Sequence, residues 1–224
     1  MTQLNLEQIS DQLDSSNSRD RLLALVSLRE IAAQDALPLI KKVLYDEILP
    51  VRSMAVSALG VKKTAESYPL LVNLMLSDDD YGIRADAAGA LGYLGDIRAY
   101  EPLVRAFYED DSWLVKFSAV VSLGNLQDHR AQDLLLEALS REEIILQQAA
   151  ISALGEIKAV DAVESLLKFA NSDDWLVRQR LAEALGSLPS SKSLSALNFL
   201  LKDEHPQVAS AAKISLLKLA NLNV

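Results

Sequence analysis

A ten-residue pattern returns along this chain every 31 or 32 residues, and that interval restricts the fold more than any other feature. VRSMAVSALG at 51–60 recurs as IRADAAGALG at 83–92, VKFSAVVSLG at 115–124, LQQAAISALG at 146–155 and VRQRLAEALG at 177–186. A degenerate first copy, DRLLALVSLR, occupies 20–29, and a degenerate last copy, VASAAKISLL, occupies 208–217. Within a copy the apolar residues follow one face of a helix: Val51, Ala55, Ala58 and Leu59 fall at i, i+4, i+7 and i+8. A column of alanines (Ala24, Ala55, Ala87, Ala119, Ala150) lets neighbouring helices approach closely, and a leucine column from Leu28 to Leu216 fills the layer between them. Gly60, Gly92, Gly124, Gly155 and Gly186 close five copies, where glycine is expected to loosen the helix end for the following turn.

Between these segments lie shorter amphipathic stretches, LPLIKKVL, YPLLVNLML, EPLVRAFY and AVESLLKFA, which read as the first helix of each pair. Pro38, Pro69 and Pro102 are expected near the starts of three of them, where proline is tolerated. Each unit is therefore helix A, an acidic turn, then helix B. The turns read YDEILPVR, SDDDYGIR, EDDSWLVK, SDDWLVR and DEHPQV, and their acidic residues are placed to cap helix B. Asp46 precedes Arg52 by six residues, as Asp78 precedes Arg84, and Lys116 follows Asp110 at the same spacing. This pattern resembles the HEAT repeat, in which Asp and Arg columns form a hydrogen-bonding ladder between neighbours. The resemblance implies an all-α fold, a right-handed α-α superhelix of about seven helical hairpins, with A helices on the convex face and B helices on the concave one. No linker interrupts the period, so one domain is expected over 1–224. It would comprise an N-terminal capping hairpin at 1–33, five regular repeats at 34–188 and a C-terminal capping hairpin at 189–224, with residues 4–14 as a short polar first helix.

Composition narrows the function classes. Of the 224 residues 50% are hydrophobic but only 5% aromatic, so the core is aliphatic. A net charge of −9 opposes broad binding to nucleic-acid phosphates or to an anionic membrane surface. The chain has no cysteine, which excludes disulfides, cysteine-zinc sites and iron–sulfur ligation by its own residues. The start MTQLNLEQISDQLDSS lacks the basic and apolar runs of a secretory signal, and no stretch of about 18 apolar residues is present. The expectation is a cytoplasmic protein with no nucleic-acid partner and no membrane insertion.

No catalytic constellation is visible. His129 and His205 fall in turns without metal-ligand spacing and are expected to be exposed or capping. The repeated His-Glu pairs of the HEAT-like deoxyhypusine hydroxylases are missing, as are a GxSxG elbow and a GxxxxGK[ST] loop. The residues call for no metal and no required cofactor, and whether the chain is an enzyme stays open. Aromatics are more informative. Tyr81, Trp113 and Trp175 share the position at the start of helix B, filled by Leu49, Ile144 and Pro206 elsewhere. Such a column either packs against the turn or forms an edge that anchors a partner. Helix B positions off the core give small, mixed residues first (Ser53, Ser57, Ala85, Gly89), an apolar spot at Phe117 and Val121, then polar residues at Gln148, Ser152, Gln179 and Glu183. Two neighbouring columns add Asp86 and Arg180. A groove of this kind suits a peptide, a helix or a flat ligand. Asp86, Trp113, Phe117, Val121, Trp175, Gln179 and Arg180 are the candidate ligand- or partner-binding residues.

The run D-D-W-L-V-R at 173–178 with its following AEALG, and D-S-W-L-V-K at 111–116 with its following VSLG, are similar to the phycobilisome lyase-like HEAT subfamily. That subfamily includes the E/F-type phycobilin lyase subunits and the phycobilisome degradation protein NblB. The resemblance covers nearly the whole chain. It implies a protein partner on the concave face, a phycobiliprotein subunit, and an open-chain tetrapyrrole such as phycocyanobilin as ligand. Its members attach or remove the bilin, or assist antenna disassembly. Asp86 would bond pyrrole N–H groups and Arg180 a propionate. The alternative from the residues alone is a protein–protein interaction scaffold unrelated to phycobilisomes.

Overall fold

The computed structural model describes residues 5–221, and the first and last residues of the sequence expectation at Leu4 and 222–224 lie outside them. Among the described residues there are fourteen α-helices and no strand. They alternate as the repeat demands, A then B, giving seven hairpins of an all-α fold. By compactness the chain divides into unit 1, residues 1–119, and unit 2, residues 120–224.

Unit 1 holds α1 (Leu6–Leu13), α2 (Ser18–Ser27), α3 (Ala33–Lys42), α4 (Leu49–Val61), α5 (Ser67–Ser77), α6 (Tyr81–Leu94), α7 (Tyr100–Glu109) and the start of α8 (Trp113–Asn125). The first helix begins with a reciprocal capping box: Asn5 accepts from the Gln8 amide and Gln8 from the Asn5 amide. Helices α2, α4 and α6 pack in succession, with Ala24, Ala55, Ala87, Leu28, Leu59 and Leu91 all buried. Each buried leucine contributes about 1.5–3 kcal/mol relative to exposure. Pro38 departs from expectation. Because α3 starts at Ala33, the proline stands inside the helix, where it has no N–H to donate to the fourth residue back.

Unit 2 holds the rest of α8, then α9 (Gln132–Leu139), α10 (Ile144–Glu156), α11 (Val163–Leu167), α12 (Trp175–Leu185), α13 (Ser191–Leu200) and α14 (Pro206–Asn221). Here α10, α12 and α14 pack in succession over buried Leu154 and Leu185. The last copy shifts: Leu216 is only half-buried, and Leu219, three residues on, takes the core position.

The glycine column does different work from that expected. A Cβ on Gly60 would stand 2.9 Å from the Ala90 Cβ; on Gly124, 2.8 Å from the Ala153 Cα; on Gly155, 2.8 Å from the Ala184 Cα. At Gly186 it would meet the Ser215 side chain at 2.6 Å. These glycines let successive B helices touch backbone to side chain. The turn that ends the helices comes three residues later, where Gly95, Gln127 and Lys158 adopt positive φ of 69°, 54° and 55°. Two of the three are not glycine, a conformation unfavourable by roughly 1–2 kcal/mol for an L-residue.

The Arg and Asp columns form the ladder. In unit 1, Arg21 donates to Asp46 at 2.9 Å, Arg52 faces Asp78 at 3.8 Å, and Arg84 grips Asp110 with two nitrogens at 2.7 and 3.1 Å. In unit 2, Arg178 grips Asp203 at 2.7 and 2.9 Å. Each arginine also donates to a carbonyl six residues back, at Ser15, Asp46, Asp78 and Ser172. The same aspartates accept a backbone N–H two residues on, at Ile48, Asp80, Ser112 and His205. Helix capping falls instead to Asp80 and Asp174. Burial pushes the Asp110 carboxyl up, but the Arg84 hydrogen bond, the Ser112 amide and the charges of Arg84 and Lys116 outweigh it and hold it below the usual range. The Arg178 hydrogen bond holds Asp203 low against burial.

Two outcomes follow. Gly155→Ala gains helix propensity but drives a methyl into a backbone atom that cannot yield, so it should lower stability by about 1–3 kcal/mol. Gly89, with nothing within 4 Å of its would-be Cβ, should gain about 0.5–1 kcal/mol as alanine; urea unfolding of both variants checks the contrast. For the ladder, a depressed folded pKa means stabilisation that is present above about pH 4 and lost as pH falls through the lower folded value. Asp110→Asn should therefore cost about 1–3 kcal/mol at neutral pH and flatten the acid limb of a stability-against-pH curve. An unchanged acid limb would contradict the pairing.

Candidate functional site

From α4 onward, the residue opening a B helix precedes the first buried position by two (Leu49 before Val51, Tyr81 before Ile83, Trp113 before Val115, Trp175 before Val177). Two helical residues are about 200° of rotation, so the opening residue points away from the core. Leu49, Tyr81 and Trp113 in unit 1, and Ile144 and Trp175 in unit 2, are accordingly all exposed large side chains. The column stays exposed in both units, least so at Trp175.

Helix α8 extends this column. Trp113, Phe117 and Val121 lie at i, i+4 and i+8, a stripe that is 57% exposed at Trp113, half-buried at Phe117 and exposed again at Val121. Helix α12 carries the same columns in another chemistry. Trp175 is followed by Gln179 and Glu183, and the Glu183 carboxylate accepts from both Gln179 at 2.8 Å and Arg180 at 2.9 Å. Arg180 thus already has an acidic partner on its own helix.

Trp175 has a further neighbour that the sequence did not announce. The His205 ring stacks on it at 4.2 Å between centroids and 14° between planes. The Asp203 carboxylate places the histidine by accepting its backbone N–H while held by Arg178. So His205 is half-buried against a tryptophan, whereas His129 is exposed as expected. The available signal was positional: His205 fills the place of the capping residue Asp174 one repeat later.

Asp86 belongs to a pocket of about 300 Å³ in unit 1. Helix α4 supplies Ser57 and Val61, α6 supplies Ala85, Asp86, Gly89, Ala90 and Tyr93, and α8 supplies Ser118. The Ser53 hydroxyl donates to the Asp86 carboxylate at 2.5 Å, fixing it from across α4. The structure therefore brings Gln179 and Arg180 together on Glu183, sets Trp113, Phe117 and Val121 on one helix face, and places Asp86 in its own cavity. Among the described residues no group of His, Asp and Glu is arranged to hold a metal ion, and no helix is long and apolar enough to cross a membrane.

The family model described as HEAT repeats matches residues 6–92, 68–144 and 133–217. Among solved structures, the complex of CpcE and CpcF of phycocyanin lyase from Nostoc sp. PCC7120 is similar at a TM-score of 0.63 and 22% identity, covering 98% of this chain and 96% of that one. A Kap95p complex with RanGDP is similar at 0.63 and 16% identity, over 99% of this chain but 36% of that one. An engineered protein is similar at 0.56 and 22%, over 97% and 99%. A search of curated proteins returns no match.

Trp113 and Trp175 should report their surroundings separately. With Trp175→Phe, the remaining Trp113 should be quenched more strongly by acrylamide than Trp175 is in Trp113→Phe. Adding His205→Ala to the latter should raise its quenching; no change would contradict the stacked pair.

Proposed function

This chain belongs to the family of HEAT-repeat proteins, and we propose that it docks a phycobiliprotein subunit through its exposed B-helix edge, as a phycobilisome-associated bilin lyase-like or antenna-degradation factor. The observation that carries the reading is the row of exposed apolar and aromatic residues opening the B helices, with the Trp113–Phe117–Val121 stripe continuing it. Exposed tryptophan and tyrosine anchor protein interfaces because they bring large contact area at small entropic cost. The phycobilin class of partner is supported by the acidic-Trp-Leu-Val-Arg/Lys runs at 111–116 and 173–178. It is supported too by the likeness, over nearly the full length of both chains, to the phycocyanin lyase complex. On this reading an open-chain tetrapyrrole such as phycocyanobilin lies against the B-helix face, and Arg180 is the group that would meet a propionate.

A second reading has its own support: the likeness, at the same TM-score but over 36% of that chain, to Kap95p bound to RanGDP fits an interaction role without a pigment.

Mixing the purified chain with phycocyanin, and separately with free phycocyanobilin, distinguishes them. The first reading expects co-elution with phycocyanin and a shifted pigment absorbance. Trp113→Ala should weaken the complex about tenfold or more while leaving thermal unfolding unchanged. Absence of both the complex and the spectral shift would sink the phycobilin reading.

A further inference from the structure

We propose that the pocket between α4, α6 and α8 seats a single arginine side chain of the docked protein, its guanidinium paired with the Asp86 carboxylate. The inference rests on the B-helix face being a protein-docking surface, and it names the group that this face recognises.

The charge pattern is the first reason. Asp46, Asp78, Asp110 and Asp203 each face an arginine of this chain. Asp86 faces none among the described residues: its one hydrogen bond in hand comes from the neutral Ser53 hydroxyl. The carboxylate is half-buried, and the hydroxyl that binds it brings no positive charge. Such a group is completed by a cation from outside, and the net charge of −9 favours the approach of one.

The shape is the second. Gly89 stands one helical turn beyond Asp86, and nothing lies within 4 Å of where its Cβ would be. The open space is therefore beside the carboxylate. Ala85, Ala90 and Ser57 line it with small side chains, and Tyr93, 76% exposed, stands at its rim with Val61. At about 300 Å³ the cavity is at the small end of ligand sites, a size for one side chain rather than for a whole cofactor.

Chemistry selects arginine over lysine. A guanidinium is planar and weakly hydrated, binds a carboxylate with two parallel N–H groups, and stacks on an aromatic ring such as Tyr93. An ammonium is more strongly hydrated and gives up more on entering a partly apolar cavity.

The test is a nuclear magnetic resonance titration of the full chain with N-acetyl-arginine methylamide, against its citrulline and lysine counterparts. Saturable shifts are expected at the Gly89 amide and the Tyr93 ring, with arginine favoured over citrulline by about fivefold. Asp86→Asn should erase that preference. Gly89→Leu, which fills the space and leaves the carboxylate, should erase the shifts altogether. Equal binding of citrulline, tighter binding of lysine, no saturable shift with arginine, or shifts indifferent to Asp86→Asn would each overturn the proposal. Its failure is separable from that of the partner assignment. A phycocyanin complex that ignores both Asp86→Asn and Gly89→Leu removes the arginine seat alone. An arginine probe bound at Gly89 by a chain that forms no phycocyanin complex removes the phycobiliprotein alone.

Discussion

The closeness of successive B helices governs the rest of this structure. Where Gly60 meets Ala90, and Gly124, Gly155 and Gly186 meet Ala153, Ala184 and Ser215, a single methyl would collide with atoms of the next helix. Contact at that distance leaves no room for side chains between the two backbones. The larger B-helix residues are therefore sorted to two sides: leucines into the layer beneath, and the opening residue of each helix outward. Each hairpin meets only its neighbours, so stability is close to a sum of hairpin and interface contributions, and a substitution at one glycine acts on one interface.

Over this spacing the Arg–Asp rungs set orientation. An arginine that binds the carbonyl six residues back and the aspartate of the next hairpin fixes both turns at once, since that aspartate also holds a backbone amide. The rungs are charge-assisted and only slightly exposed, which makes them stronger than surface pairs. In unit 2 a rung reaches the surface chemistry: Arg178 holds Asp203, Asp203 holds the His205 backbone, and the His205 ring covers Trp175. The exposed edge is thereby tied to the ladder, and one tryptophan is partly shielded while Trp113 is open.

The hairpins were legible in the sequence because helical burial writes itself as spacing. Val51, Ala55 and Leu59 name a face, and the 31–32-residue period repeats it. Helix starts were legible for the same reason: Tyr81, Trp113 and Trp175 each open a helix. Distances across helices leave no such periodic trace. The glycine column therefore resembled helix ends, although its purpose is contact with the next helix, and the left-handed residues Gln127 and Lys158 carry no glycine to betray them. Pro38 was misplaced because proline marks helix starts only on average. At the candidate site, the sequence revealed the shared position of Trp113 and Trp175 but left open whether it packs or is exposed, because exposure and the stacking of His205 both depend on what the next repeat places beside it.

On the proposed docking role, the two chemistries of the exposed face would divide the tasks of recognition. Apolar contact at Trp113 and Phe117 supplies attraction without direction, since burial of apolar area rewards any fitting surface. A carboxylate in a narrow cavity does the reverse: Asp86 adds little attraction to a wrong group and leaves a desolvated charge unpaired if none enters. In unit 2 the comparable charge is neutralised within the chain, because Glu183 accepts from Arg180 and Gln179. Among the described residues, Asp86 is thus the charge lining this pocket that no cation of the chain pairs with, and on the proposed docking role α6 is where a partner's identity, rather than its mere hydrophobicity, would be read.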